Sequence, residues 1–82
     1  MKNKEIIEEK AREIYGEELV DAWKKADKEI PLFTAKQWKK RGYKVKEGSI
    51  AYTVKINGKN KERYYMYTCH IFALHQIEKE IQ

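Results

Sequence analysis

Apolar residues recur at three-to-four spacing through residues 1–30, first as Ile6, Ile7, Ala11, Ile14 and Tyr15 and then as Leu19, Val20, Trp23 and Ala26. This is the period of a helix with one buried stripe. Gly16 interrupts it, so the spacing predicts two helices with a bend or break there, Asn3 capping the first and Glu5 suiting its dipole. Ile30-Pro31 closes the region, because the residue before proline is pushed out of the helical basin. The next pattern is short. Thr34 and Gln37 are spaced for a capping box, Phe33 and Trp38 for a hydrophobic staple, and Gly42 for a left-handed C-terminal stop. Ala35 to Arg41 is therefore read as a helix of about two turns, too short to stand without packing through Trp38.

The period then changes to two. Tyr43 and Val45 alternate with Lys44 and Lys46, and Ile50, Tyr52, Val54 and Ile56 alternate with Ala51, Thr53 and Lys55. Both runs predict extended chain with one apolar edge. Asn57-Gly58 is a hairpin signal, and the returning strand runs from Glu62 to about Phe72. A two-residue loop sets lysines against the apolar face. A five-residue loop pairs Ile56 with Glu62, Val54 with Tyr64 and Tyr52 with Met66, so an odd-length loop is expected. Thr53, Lys55, Arg63, Tyr65 and Tyr67 then share the opposite face. Leu74 to Ile81 is read as a terminal helix, and Trp38, Tyr43, Val45 and Phe72 are assigned to the core. Together these elements give an α+β fold: two N-terminal helices and a short basic helix packed on a small antiparallel sheet built round a hairpin.

Eighty-two residues make one domain, residues 1–82, near the lower limit for a self-sufficient core. No apolar run approaches the roughly 20 residues needed to cross a bilayer, and one cysteine, Cys69, excludes an internal disulfide. A soluble protein of a reducing compartment, the cytoplasm, is expected, without a membrane partner. The net charge of +5 hides a division: residues 1–30 carry −2 and residues 31–82 carry +7. An acidic half followed by a basic half draws polyanions to one side. Composition alone does not choose among DNA, RNA, an acidic protein or a lipid head group.

The segment Phe33-Thr34 with Gln37-Trp38-Lys39-Lys40-Arg41-Gly42-Tyr43-Lys44-Val45-Lys46-Glu47-Gly48 resembles the opening motif of the ArdC-like N-terminal domain. That family occurs in plasmid antirestriction proteins and in small phage proteins. Ile71-Phe72-Ala73-Leu74-His75-Gln76-Ile77-Glu78 resembles its second motif, an apolar strand end closing in Phe, three variable residues and Gln. The two motifs bracket a little over half of the chain. Glu47 stands where the family usually has a second Lys, and Ser49 where it often has an acid. The resemblance implies a protein of a phage or mobile element in a bacterial cell. Because larger members are associated with single-stranded DNA, it also implies a nucleic-acid partner.

The residues themselves support the same class. Lys36, Lys39, Lys40, Arg41, Lys44 and Lys46 decorate one compact unit, and Lys55 and Arg63 lie beside Tyr65 and Tyr67 in the expected hairpin. Cations follow phosphates while aromatic rings stack on unpaired bases. The competing structural reading has the lysines as a solvated helix end suited to the dipole, and the tyrosines as amphipathic core beneath a helix. Gln76 is expected to bond backbone or ligand. Cys69, His70 and His75 are one ligand short of a structural zinc site, with the first two on opposite faces of a strand, so no metal or other cofactor is expected. No phosphate loop, HExxH or nucleophile motif is present, and the chain is read as non-enzymatic. Two functions follow. One is a module that binds single-stranded nucleic acid; the other is a counter-defence inhibitor, of antirestriction or anti-CRISPR type, that occupies a host nuclease or effector complex.

Overall fold

A computed structural model describes residues 3–59 and 64–81. Helices α1 (Asn3–Tyr15) and α2 (Glu17–Lys25) form an antiparallel hairpin broken at Gly16, whose φ of 93° is open to glycine at little cost. Arg12 pairs with Asp21 at 3.0 Å and Lys24 with Glu8 at 3.3 Å across the two helices, and Tyr15 meets Trp23 edge to face at 5.0 Å. α2 stops before Ile30-Pro31. Asp27 takes a left-handed φ of 54°, so that its N–H bonds the Lys24 carbonyl and the Lys28 N–H bonds that of Trp23. This is a Schellman stop with an aspartate in the position glycine usually holds.

The short helix α3 (Ala35–Lys40), strand β1 (Tyr43–Val45), strands β2 (Tyr52–Lys59) and β3 (Tyr64–Ile71), a 3₁₀ turn (Leu74–Gln76) and strand β4 (Ile77–Lys79) complete the chain. The strands make two antiparallel pairs, β2 with β3 and β1 with β4. α1 and α2 cover one face of the β2–β3 ribbon. The core between them holds Ala11, Val20, Leu32, Val54, Ile56, Ile71 and Ala73, with Ile7, Ile14, Tyr15 and Tyr52 packed against it. The α+β architecture expected from the sequence is the one observed.

The hairpin register differs from the expected one. Asn57 and Gly58 are not a turn but the last part of β2, opposite Met66 and Tyr65. Ile56 pairs with Tyr67, Val54 with Cys69 and Tyr52 with Ile71, which gives every core-facing residue of β2 an apolar partner, whereas the odd loop left Ile56 against Glu62. The parity change turns Tyr65 and Tyr67 to the helix-covered face, away from Lys55. The strand also begins later than expected, leaving Ile50 84% exposed. Asn3 does not cap α1 either. Its side-chain amide exchanges two hydrogen bonds with the Asn57 backbone, at 2.8 and 2.9 Å, and closes the outer edge of β2.

At the C-terminus the expected helix is replaced by the 3₁₀ turn and β4. Gln76 is buried; its Oε1 accepts from the Ala73 N–H at 2.9 Å and its Nε2 donates to the Ile50 carbonyl at 2.6 Å. These bonds arrest the turn. The chain then extends so that Ile77 lies opposite Val45, and β4 satisfies the edge of β1. Tyr43, expected in the core, is exposed at the end of this pair, and Val45 and Phe72 are half-buried.

Candidate nucleic-acid interface

The basic unit is built as its sequence requires. Thr34 Oγ1 accepts from the Gln37 N–H at 3.2 Å and Gln37 Oε1 from the Thr34 N–H at 3.0 Å, the reciprocal capping box. The staple is present as Phe33 and Trp38 rings edge to face at 4.9 Å. Trp38 is 3% exposed, donates from Nε1 to the Phe72 carbonyl at 2.9 Å, and meets Tyr43 at 5.5 Å. Gly42 closes the helix with φ 88° and its carbonyl accepts from the Glu80 N–H. A six-residue helix is thus fixed at both ends and through its one large apolar side chain.

With about 100° per residue, burying Trp38 sends Lys36 and Lys40 to the opposite side of α3 and Lys39 to its flank. All three are exposed, and their side chains form no ion pair or hydrogen bond among the described residues. The other cations of the unit have partners. Arg41 lies 3.8 Å over the Phe33 ring, reaches Glu29 at 3.3 Å and donates to the Gln37 carbonyl. Lys44 pairs across the strands with Glu78 at 3.5 Å, and Lys46 Nζ donates to the His75 carbonyl at 3.3 Å. Exposed pairs of this kind are worth about 0–1 kcal/mol, so Lys44 and Lys46 can exchange them for a phosphate oxygen. Lys79, opposite Tyr43 in β4, adds a further exposed cation. Sequence reasoning missed it, because a terminal helix leaves Lys79 unconnected to β1.

Tyr65 and Tyr67 form a separate surface. Their rings lie 5.9 Å apart and tilted by 37°, and they are 46% and 44% exposed at the end of the ribbon beyond the main helix contact. The Tyr65 ring lies across Gly58, where an added Cβ would come within 2.5 Å of it. Tyr67 borders an open cleft of about 640 Å³ between α1, residues 27–34 and the ribbon, floored by Ile56, Cys69 and Ile71. Lys4, Lys24 and Lys28 line this cleft together with Glu8, Asp27 and Glu29, a set that no local pattern marks. Lys55 occupies the opposite, open face with Thr53, Thr68 and His70, all exposed. Arg63 lies outside the described residues.

The residues expected to act together are therefore divided: Lys36, Lys39, Lys40, Arg41, Lys44 and Lys46 on the α3–β1 unit, Tyr65 and Tyr67 on the helix-side face, and Lys55 behind them. Among the described residues no three of His, Cys, Asp and Glu gather so as to hold a metal ion, and no helix is long and apolar enough to cross a membrane. The titration of Tyr15 is displaced from its ordinary value. Burial raises its phenol, against the bond its oxygen accepts from the Leu74 N–H, and Tyr52 adds a small rise. Its O–H donates to the Pro31 carbonyl at 2.7 Å, so the group is a structural tie. Compared with known protein families, curated proteins and solved structures, the chain matches none.

Proposed function

We propose that this protein is a non-enzymatic nucleic-acid-binding module of a phage or mobile element, acting in the bacterial cytoplasm on single-stranded DNA. The observation that carries this reading is the clamped α3 unit, on which Lys36, Lys39 and Lys40 are exposed with no partner among the described residues. Three fixed, unneutralised cations on one short helix suit a phosphate backbone, and Lys44, Lys46 and Lys79 extend the track. The two half-exposed tyrosines support the single-strand preference, since base stacking on such rings is worth about 1–3 kcal/mol each.

The ArdC-like resemblance points to the same ligand class. A counter-defence inhibitor whose acidic helices imitate DNA is the other reading. It draws on carboxylates of α1 and α2, of which Glu8, Glu13 and Asp21 are already engaged in ion pairs with Lys24, Lys10 and Arg12. The test is a fluorescence-anisotropy titration of a labelled single strand and of the matching duplex at low salt. Tighter binding of the single strand, weakened by about 1–3 kcal/mol in Tyr67→Ala, is expected. Absence of binding to either form contradicts the proposal.

A further inference from the structure

The two edges of the β2–β3 ribbon are treated differently. In an antiparallel ladder, opposed residues alternately exchange both backbone hydrogen bonds or direct all four groups outward. The Asn57 N–H and carbonyl are engaged by the Asn3 side chain on the outer edge of β2, so Asn57 and its partner Met66 form an outward pair. Alternation makes Thr68 and His70 outward residues of β3 as well. Phe72 provides an independent check on this parity: its N–H and carbonyl bond Phe33, on the outer side of β3, at 2.8 and 3.4 Å. Beyond that single bridge, the outward N–H and carbonyl groups of Met66, Thr68 and His70 have no partner among the described residues.

Edges of this kind are ordinarily blunted by lysine, proline, a bulge or a covering segment. β2 has such devices in Lys55 and the Asn3 amide. β3 has none. Its residues Tyr64–Ile71 belong to an unbroken run without Asp, Glu, Lys or Arg, residues 64–77, in a chain that is 38% charged. We infer that the β3 edge is an interface with a second copy of this chain, the two β3 strands pairing antiparallel about a two-fold axis at Thr68.

That register opposes Thr68 to Thr68 and Met66 to His70 across the axis, each pair exchanging two main-chain hydrogen bonds. It brings no like charges together, although each copy carries +5. Neutrality of the edge is what self-pairing of a basic protein requires; a nucleic-acid partner would instead call for cations there. The joined ribbons form a four-stranded sheet, and both tyrosine pairs fall on its one helix-side face. By the two-fold symmetry, Phe33 at Phe72 of each copy limits the pairing at both ends. The contact is mainly main-chain, so the dimer is expected to be weak and concentration-dependent.

Sedimentation velocity of the full chain, without nucleic acid, over a series of micromolar concentrations tests this. The wild type is expected to pass from monomer to dimer. Thr68→Pro is expected to remain monomeric with an unchanged far-ultraviolet dichroism spectrum, since an outward N–H on an edge strand is a position proline tolerates. Should Thr68→Pro lose its fold, Met66→Lys, exposed in the monomer, is expected to abolish dimerisation instead. A wild type that is monomeric throughout overturns the inference, as does a dimer that persists in both folded variants. Because no nucleic acid is present, this outcome is separate from that of the binding proposal.

Discussion

At the scale of single residues, three side chains tie distant parts of the backbone together. Tyr15 bridges the Pro31 carbonyl and the Leu74 N–H, Gln76 bridges Ala73 and Ile50, and Trp38 holds Phe72. Trp38 was legible in the sequence through the staple and cap on either side of it, and Gln76 as a residue that bonds backbone or ligand, without its two partners. Tyr15 reads as an ordinary member of an apolar stripe, because its partners lie 16 and 59 positions away and a periodicity carries no information about them. Tyr15→Phe is expected to lower stability by about 1–3 kcal/mol, the usual cost of leaving such groups unpaired. Since folding raises the Tyr15 titration, its neutral form contributes stability that is present below the ordinary value of 10.0 and is lost as pH climbs through the folded one. Thermal denaturation of both proteins on either side of pH 10.0 should therefore show the gap between them closing at alkaline pH. A gap independent of pH would count against the assignment.

At the scale of elements, legibility follows how local the determinants are. α3 is specified inside ten consecutive residues, Phe33 to Gly42, and its cap, staple and stop all appear as the spacing predicts. The hairpin is not local in this sense. Asn57-Gly58 has strong turn chemistry, yet a two-residue turn there sets lysines against the apolar face, whereas the observed register opposes Ile56 to Tyr67 and Val54 to Cys69, so packing overrides the turn preference. The same competition decides β4, where Gln76 arrests a helix that composition permits. The stop of α2 is a third case. Asp27 holds a left-handed conformation and places a negative charge at a helix C-terminus, both unfavourable. Asp27→Gly is expected to raise stability by about 0.5–1 kcal/mol, read as a higher urea midpoint at unchanged slope. An unchanged or lower midpoint would mean that Asp27 has a favourable role the Schellman geometry does not explain. Gly58→Ala works in the opposite direction. Its new methyl meets the Tyr65 ring, so a loss of about 1–3 kcal/mol or a displaced ring, seen as altered Tyr65 exposure to quenching, is expected.

At the scale of the whole molecule, the charge division seen in the sequence becomes a division of surfaces. The acidic helices tie up part of their charge in ion pairs of their own, while the cations of α3 stand outward. The expected platform of interleaved lysine and tyrosine on one sheet face does not form, because one step of register separates Tyr65 and Tyr67 from Lys55. What remains is a backbone-gripping helix and a distinct pair of rings beside a cleft, so a bound strand must pass over more than one element. The central claim is that Lys36, Lys39 and Lys40 hold phosphates. The most direct test is the salt dependence of single-strand binding for the wild type and for the variant with all three replaced by alanine. Each phosphate contact to a single strand contributes about 0.7 to the slope of log K against log salt. The variant is predicted to bind more weakly with a slope shallower by about 2. Equal slopes would place the phosphate contacts elsewhere and contradict the account.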